Sequence, residues 1–382
     1  MKRRTRLLTF VCMLICGVPL VGQTGSANRT TDETSQTNDP QPTPVWEMVQ
    51  VDCKKASLRG LHVLDSKHIF ASGSQGTVLH STDGGASWNV QTVAGAEELD
   101  FRDIHAIDAK NVLIVSAGTP ARIYRSSDGC QTWTKVFERT DPSFFFDAID
   151  FWDQQVGVVM GDPIDGKLCL IKTIDGGKTW KPLTTTPETN LGEAGFAASG
   201  TNTIAVAPNL LLVALGGAEE NTSHPSSRVL RSDDRGVTWS STEVPIKRTP
   251  SAGIFSLHVT NQQQVIAVGG DYKKPDMIDG TLARSTDGGK TWATIKSANG
   301  LTGFRSCVST AASGHLIAVG TNGTDVSLDS GQSWKRLSDD GFHAIDFSSD
   351  RKTGWATGAQ GCIGKWTGTT EANKTDSKEP SE

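Results

Sequence analysis

Residues Ser285–Trp292 read STDGGKTW, and the phrase S/T-x-D-x-x-x-S/T-W recurs along the chain. It stands at Ser81–Trp88 (STDGGASW), Ser126–Trp133 (SSDGCQTW), Thr173–Trp180 (TIDGGKTW), Ser232–Trp239 (SDDRGVTW) and Ser327–Trp334 (SLDSGQSW). The tryptophans are 45, 47, 59, 53 and 42 residues apart, steps that suit one four-stranded blade each. The phrase has the chemistry of a hairpin turn. The carboxylate accepts backbone N–H groups across the turn, the glycine takes a positive φ, and the tryptophan packs beneath the loop. Asp83, Asp128, Asp175, Asp234, Asp287 and Asp329 therefore read as turn fasteners rather than as acids or metal ligands. Cys130 replaces the glycine of the second copy, so that turn is expected to be strained or differently shaped.

Apolar runs precede each phrase, for example Ile69–Gly73, Val265–Gly269 and Leu316–Gly320. A seventh run, Gly354–Gly358, has no such turn after it. The missing outer strand is supplied at the other end, where Val45–Val51 (VWEMVQV) matches the strand that follows each turn. The expectation is an all-β, seven-bladed β-propeller with six of these turns, its last blade closed by the N-terminal strand so that no sheet edge stays open. Cys53 ends that strand and Cys362 begins its neighbour, which makes them a disulfide candidate in an exported chain, with two nearby thiols as the alternative.

The 382 residues carry a net charge of −5 and a pI near 5.9, against the basic excess usual for nucleic-acid or anionic-membrane binding. Lys2, Arg3, Arg4 and Arg6 precede an apolar run, Leu7–Val21, too short to span a bilayer. Residues 1–22 read as a secretory signal, which places the protein in the periplasm or outside the cell. Cys16 would suit a lipid anchor, but the bulky Ile15 precedes it. No other stretch is long enough for a membrane helix. Residues 23–44 read as a disordered linker, 45–367 as the propeller and 368–382 as a disordered tail. The protein is expected to act as a monomer.

In such a ring the repeated turns lie on one face and irregular loops on the other, and irregular loops are where binding chemistry resides. Aligning the innermost strands puts Arg59, Arg102, Arg305 and His343 on one half of the channel mouth. Phe146, Phe196 or Ala197, and Phe255 form the other half, with Tyr272 above. A half-basic, half-aromatic mouth suits a partner protein, or an anionic or carbohydrate ligand, through bidentate arginine contacts. In the alternative, these arginines pair with loop aspartates and only hold the loops. Asp162, Glu193 and Asp271 are the candidates for catalysis, as the carboxylates of a glycoside hydrolase or lyase. No phosphate loop, dinucleotide phrase or clustered His/Cys spacing is present, so no cofactor and no metal are expected.

The repeated phrase resembles the Asp-box (BNR repeat) of sialidase-type propellers. Over about residues 45–367 the chain resembles exported bacterial Asp-box propellers related to the photosystem II stability and assembly factor family. Gly161–Gly166 (GDPIDG), Gly192–Asn202 (GEAGFAASGTN), Ala267–Tyr272 (AVGGDY) and Gly341–Ala344 (GFHA) are similar to a subgroup that carries the label "oxidoreductase", although no redox cofactor phrase accompanies them. The assembly-factor resemblance implies protein binding through an arginine-containing face, and it carries over to Arg59, Arg102 and Arg305.

Overall fold

The computed structural model describes residues 45–368 apart from 54, 55, 219–221 and 262. The expected signal (1–22), the linker (23–44) and all but the first residue of the tail lie outside the described residues. Seven antiparallel four-stranded sheets make up the propeller, and the only helical turns among the described residues are Ser297–Asn299 and Ala359–Gly361. No described helix is long and apolar enough to cross a membrane.

The last blade is built from both ends of the chain. Trp46–Val49 pairs with Ile363–Trp366, in register from Trp46 opposite Trp366 to Val49 opposite Ile363. Trp46 packs its ring against Phe342 (4.9 Å) and Trp366 (5.0 Å), and its Nε1 donates to Thr324 Oγ1 of the preceding blade at 3.3 Å.

Strand side chains alternate between faces, so each sheet offers one apolar face to each neighbour. Seven buried clusters result, one in each seam between adjacent blades. This alternation also explains why the Cys53–Cys362 bridge is not made and both remain thiols. Cys53 packs with Ile363 in the seam between blades seven and one, whereas Cys362, the residue just before that strand, packs on the opposite side, in the seam between six and seven.

The six turns share one hydrogen-bond pattern. In the fifth blade, Ser285 Oγ donates to Asp287 Oδ1 (2.8 Å) and accepts from Gly289 N (2.7 Å). The same carboxylate accepts Thr291 N at 2.9 Å and Thr291 Oγ1 at 2.6 Å. Of the two expectations for Cys130, the altered shape is corrected and the strain is found: it takes a positive φ of 64°, yet its N–H reaches Ser126 Oγ at 2.9 Å, so the turn keeps the shape of the others. Its side chain is fully buried in the first seam, and that burial offsets the cost of a left-handed residue with a Cβ.

Replacing Trp46 by alanine should lower stability by about 3–5 kcal/mol, because it opens a cavity at the closing seam. Urea denaturation would show this as a lower midpoint at unchanged slope.

Candidate functional site

The innermost strand of each blade starts at one face, called upper here, and the Asp-box turns lie on the lower face. Near the upper end the register of four of these strands slips by one residue, between Leu58 and Gly60, Phe101 and Asp103, Phe146 and Ala148, and Ile254 and Ser256. The bulged residues are Arg59, Arg102, Asp147 and Phe255. A bulge re-aims its side chain away from the sheet faces, here toward the channel mouth. In blades six and seven the first ladder bond is made by Ser306 N and His343 N, which puts those residues at the matching position.

Two of the expected mouth residues are therefore displaced by one step. Phe146 precedes its bulge and is fully buried in the seam between blades two and three, where it meets Phe137. Arg305 is likewise fully buried: it pairs with Asp325 at 2.8 Å and donates to Asn322 Oδ1 and Thr302 Oγ1. It holds blade six together and is not offered to a ligand. Asp147 occupies the place expected of Phe146.

The basic half of the mouth is Arg59, Arg102 and His343. Arg102 is fixed, with Nε donating to Asp100 at 2.6 Å and Nη1 to Ala197 O at 2.8 Å. His343 is buried, with Nδ1 3.1 Å from Leu58 O; burial and then the charge of Arg59 push its pKa down to about 3, so it is neutral. Arg59 has no hydrogen-bond or ion-pair partner among the described residues. Burial, and then repulsion from Arg102, lower its pKa to about 10, with Asp100 opposing. It remains charged at neutral pH and lacks a counterion in contact.

Across the mouth, Phe255 stacks on Phe196 (4.0 Å between centroids) and meets Phe304 (4.7 Å) and Tyr272 (6.3 Å) edge-on. Tyr272 is 43% exposed, and Met277, Ile278 and Leu191 on the upper loops are exposed as well. The aromatic half is thus a rigid base topped by accessible apolar side chains.

The segment 195–201 crosses the channel. Ala197 is held from blade two by Arg102, Ser199 Oγ donates to Ser306 O of blade six at 2.9 Å, and Phe196 stacks on blade five. A segment that touches blades on opposite sides of the ring must pass over the axis. It roofs a lower cavity of about 230 Å³, lined in part by His62, His105, Asp150, His258 and Asp346. Sequence reasoning missed this segment's path. Its small residues, Ala197 to Gly200, were the available signal: Gly200 lies so close to Asp103 that a Cβ would meet the carboxylate.

The three carboxylates proposed for catalysis are not assembled into one centre. Glu193 has no exposed side-chain surface. It accepts Asn190 N at 2.7 Å and hydrogen bonds from Arg228, with Arg248 at 3.7 Å. Burial alone would raise its pKa, but the Arg228 and Asn190 hydrogen bonds outweigh it and hold the carboxyl below its usual value. Asp271 caps its own loop at Lys273 N. Asp162 accepts Gly195 N at 3.0 Å and neighbours the fully buried Asp147. Burial raises both, Asp162 to about 6, and the charge of Asp162 raises Asp147 further.

A family model described as photosynthesis system II assembly factor YCF48 matches residues 39–141. The photosystem II assembly lipoprotein Ycf48 of Synechococcus sp. (strain CC9902) is 27% identical over 143 residues, 37% of this chain and 40% of the relative. The aligned part thus spans about two-fifths of that curated relative's length. Two solved structures share the fold: YCF48 bound to D1 peptide (TM-score 0.60, 17% identity, covering 85% of this chain and 98% of that one) and YCF48 from Cyanidioschyzon merolae (TM-score 0.56, 15% identity, 84% and 98%). The chain resembles the YCF48 assembly-factor propellers. What it shares with them is the Asp-box blade repeat and a seven-bladed ring.

In the lower cavity, burial pushes Asp150 and Asp346 up to about 7. A carboxyl whose folded pKa exceeds its unfolded value of about 4 favours folding while protonated, and that advantage is lost as pH rises through the folded pKa. Asp150 keeps 25% side-chain exposure, which moderates the effect. The melting temperature should therefore fall from about pH 4 to about pH 7 through these groups. In Asp150→Asn/Asp346→Asn the calorimetric profile should be flatter, and parallel profiles would contradict the assignment.

Proposed function

We propose that this chain is an exported, non-catalytic scaffold that grips an anionic segment of a partner protein at the upper mouth of its propeller. The observation that carries this reading is Arg59, a charged, half-buried side chain with no partner among the described residues. A guanidinium held in a low-dielectric rim without a counterion is preorganised for a carboxylate, which it can take bidentately. Arg102, locked by Asp100 and Ala197, adds positive potential without moving.

The aromatic half favours a peptide over a small anion. Tyr272, Met277 and Ile278 can cover apolar side chains next to the carboxylate, in the manner of interface anchors. That YCF48 has been solved with a bound D1 peptide supports a peptide-binding role for a propeller of this kind. Export rests on the basic and apolar N-terminal residues, Lys2 to Val21. A glycosidase would need a pair of available carboxylates, and Glu193 and Asp271 are already engaged.

An array of acidic peptides with free or amidated C-termini tests the proposal. Arg59→Ala should weaken the best binder by roughly 10–100-fold, the worth of a charge-assisted hydrogen bond, and added salt should weaken the wild type in the same direction. Equal binding by Arg59→Ala, or turnover of a glycan panel abolished by Asp162→Ala, would overturn it.

A further inference from the structure

The lower cavity lies on the face away from Arg59 and takes no part in the function proposed above. Its wall has two layers. The upper layer is aliphatic, with Leu61, Ile104, Ile149, Leu257, Val308 and Ile345 from six different blades. The lower layer is mainly polar, with His62, His105, Asp150, His258 and Asp346, and is interrupted by Ile204 of blade four. Asp103 stands deeper, beside the roof.

Each of the three carboxylates ties its blade to the next. Asp103 Oδ2 accepts Ile149 N (2.8 Å), Asp150 Oδ2 accepts Ala205 N (2.7 Å) and Asp346 Oδ2 accepts Val63 N (2.7 Å). Their other oxygens accept the N–H of Ile104, Phe151 and Phe347. A carboxylate has about four acceptor sites, so each keeps lone pairs for a further donor. Asp150 and Asp346 repel Asp103, and among the described residues no lysine or arginine lines the cavity; Arg351 stands outside it, near His258.

Two further residues of the cavity lining carry unused hydrogen-bonding capacity. Thr203 Oγ1 is buried without a partner, on a residue 2% exposed. His62 meets His105 ring to ring at 4.8 Å, and neither of its nitrogens has a hydrogen-bond partner among the described residues. Burial holds His62 and His258 near pKa 4, so both are neutral at physiological pH; His258 Nε2 already lies 2.6 Å from Thr310 Oγ1, which leaves His62 as the open acceptor.

We infer that this cavity is a second binding site, for a small organic cation: a primary ammonium that hydrogen-bonds to the carboxylate and imidazole layer while its methylene chain rests on the aliphatic layer. Three donors on an ammonium match acceptors that converge from several blades, and the volume of about 230 Å³ admits a short aliphatic amine rather than a polymer. A cation there would relieve the mutual repulsion of the carboxylates and add to the inter-blade ties that they already make.

The test uses the full chain and 1,4-diaminobutane, followed by calorimetry and by the imidazole NMR signals of His62, His105 and His258. The expected result is saturable binding that shifts those signals, with no comparable binding of 1,4-butanediol. Asp150→Asn/Asp346→Asn should lose at least roughly tenfold in affinity. Thr203→Val removes an oxygen that makes no protein hydrogen bond, so it should keep the fold and weaken binding roughly 2–10-fold. Arg59→Ala should bind the diamine like the wild type, which separates this site from the upper mouth. Absence of saturation at millimolar diamine, equal binding of the diol, undiminished binding by both cavity variants, or binding of magnesium chloride in place of the diamine would each overturn the inference.

Discussion

The pairing of Trp46–Val49 with Ile363–Trp366 is the contact on which the rest of the ring depends. A propeller has no central core; its stability is the sum of its seams, and each seam needs two complete sheets. Val45 and Trp46 complete the seam between blades six and seven, while Val49 packs against the seam between seven and one. Losing this one strand would strip two seams and expose a sheet edge. The N-terminal strand thus closes the ring, as expected, by burial and backbone pairing.

The two faces of the ring use polar groups in opposite ways. On the lower face, each Asp-box carboxylate is consumed by its own turn, as Asp287 is by Ser285 and Thr291. Such groups hold shape and have little left to offer a ligand. On the upper face, Arg305 and Glu193 are spent on structure in the same manner, one on Asp325 and the other on Arg228. Arg59 is different because its charge is held in place by the strand bulge and not neutralised by contact. A desolvated, unpaired charge costs free energy in the isolated protein, and a partner that supplies the counterion recovers it.

Much of this was legible in the sequence. The turns were, because their geometry demands particular residue types: an acceptor carboxylate, a residue at positive φ and a flat apolar side chain. Closure was, because Trp46 begins an outer strand that has no blade before it. The channel mouth was read only in part. Arg59, Arg102, Phe255 and His343 fall where the aligned strands put them, but Phe146 and Arg305 do not. A bulge shifts the side-chain period by one residue and leaves no mark in composition, so residues one step apart in their blades looked equivalent. The crossing of segment 195–201 left only the run of small residues from Ala197 to Gly200 as a signal, since its path is set by contacts to blades distant in sequence.

In the proposed division of labour the upper mouth binds the partner and the six Asp-box turns are a passive frame. Hydrogen–deuterium exchange on the full chain, with and without the best-binding acidic peptide, tests that division most directly. The predicted result is added protection at the upper ends of the innermost strands, around Leu58–Gly60, Phe101–Asp103 and Ile254–Ser256, with no change at the turns. Protection concentrated at the turns, with the upper strand ends unaltered, would contradict it.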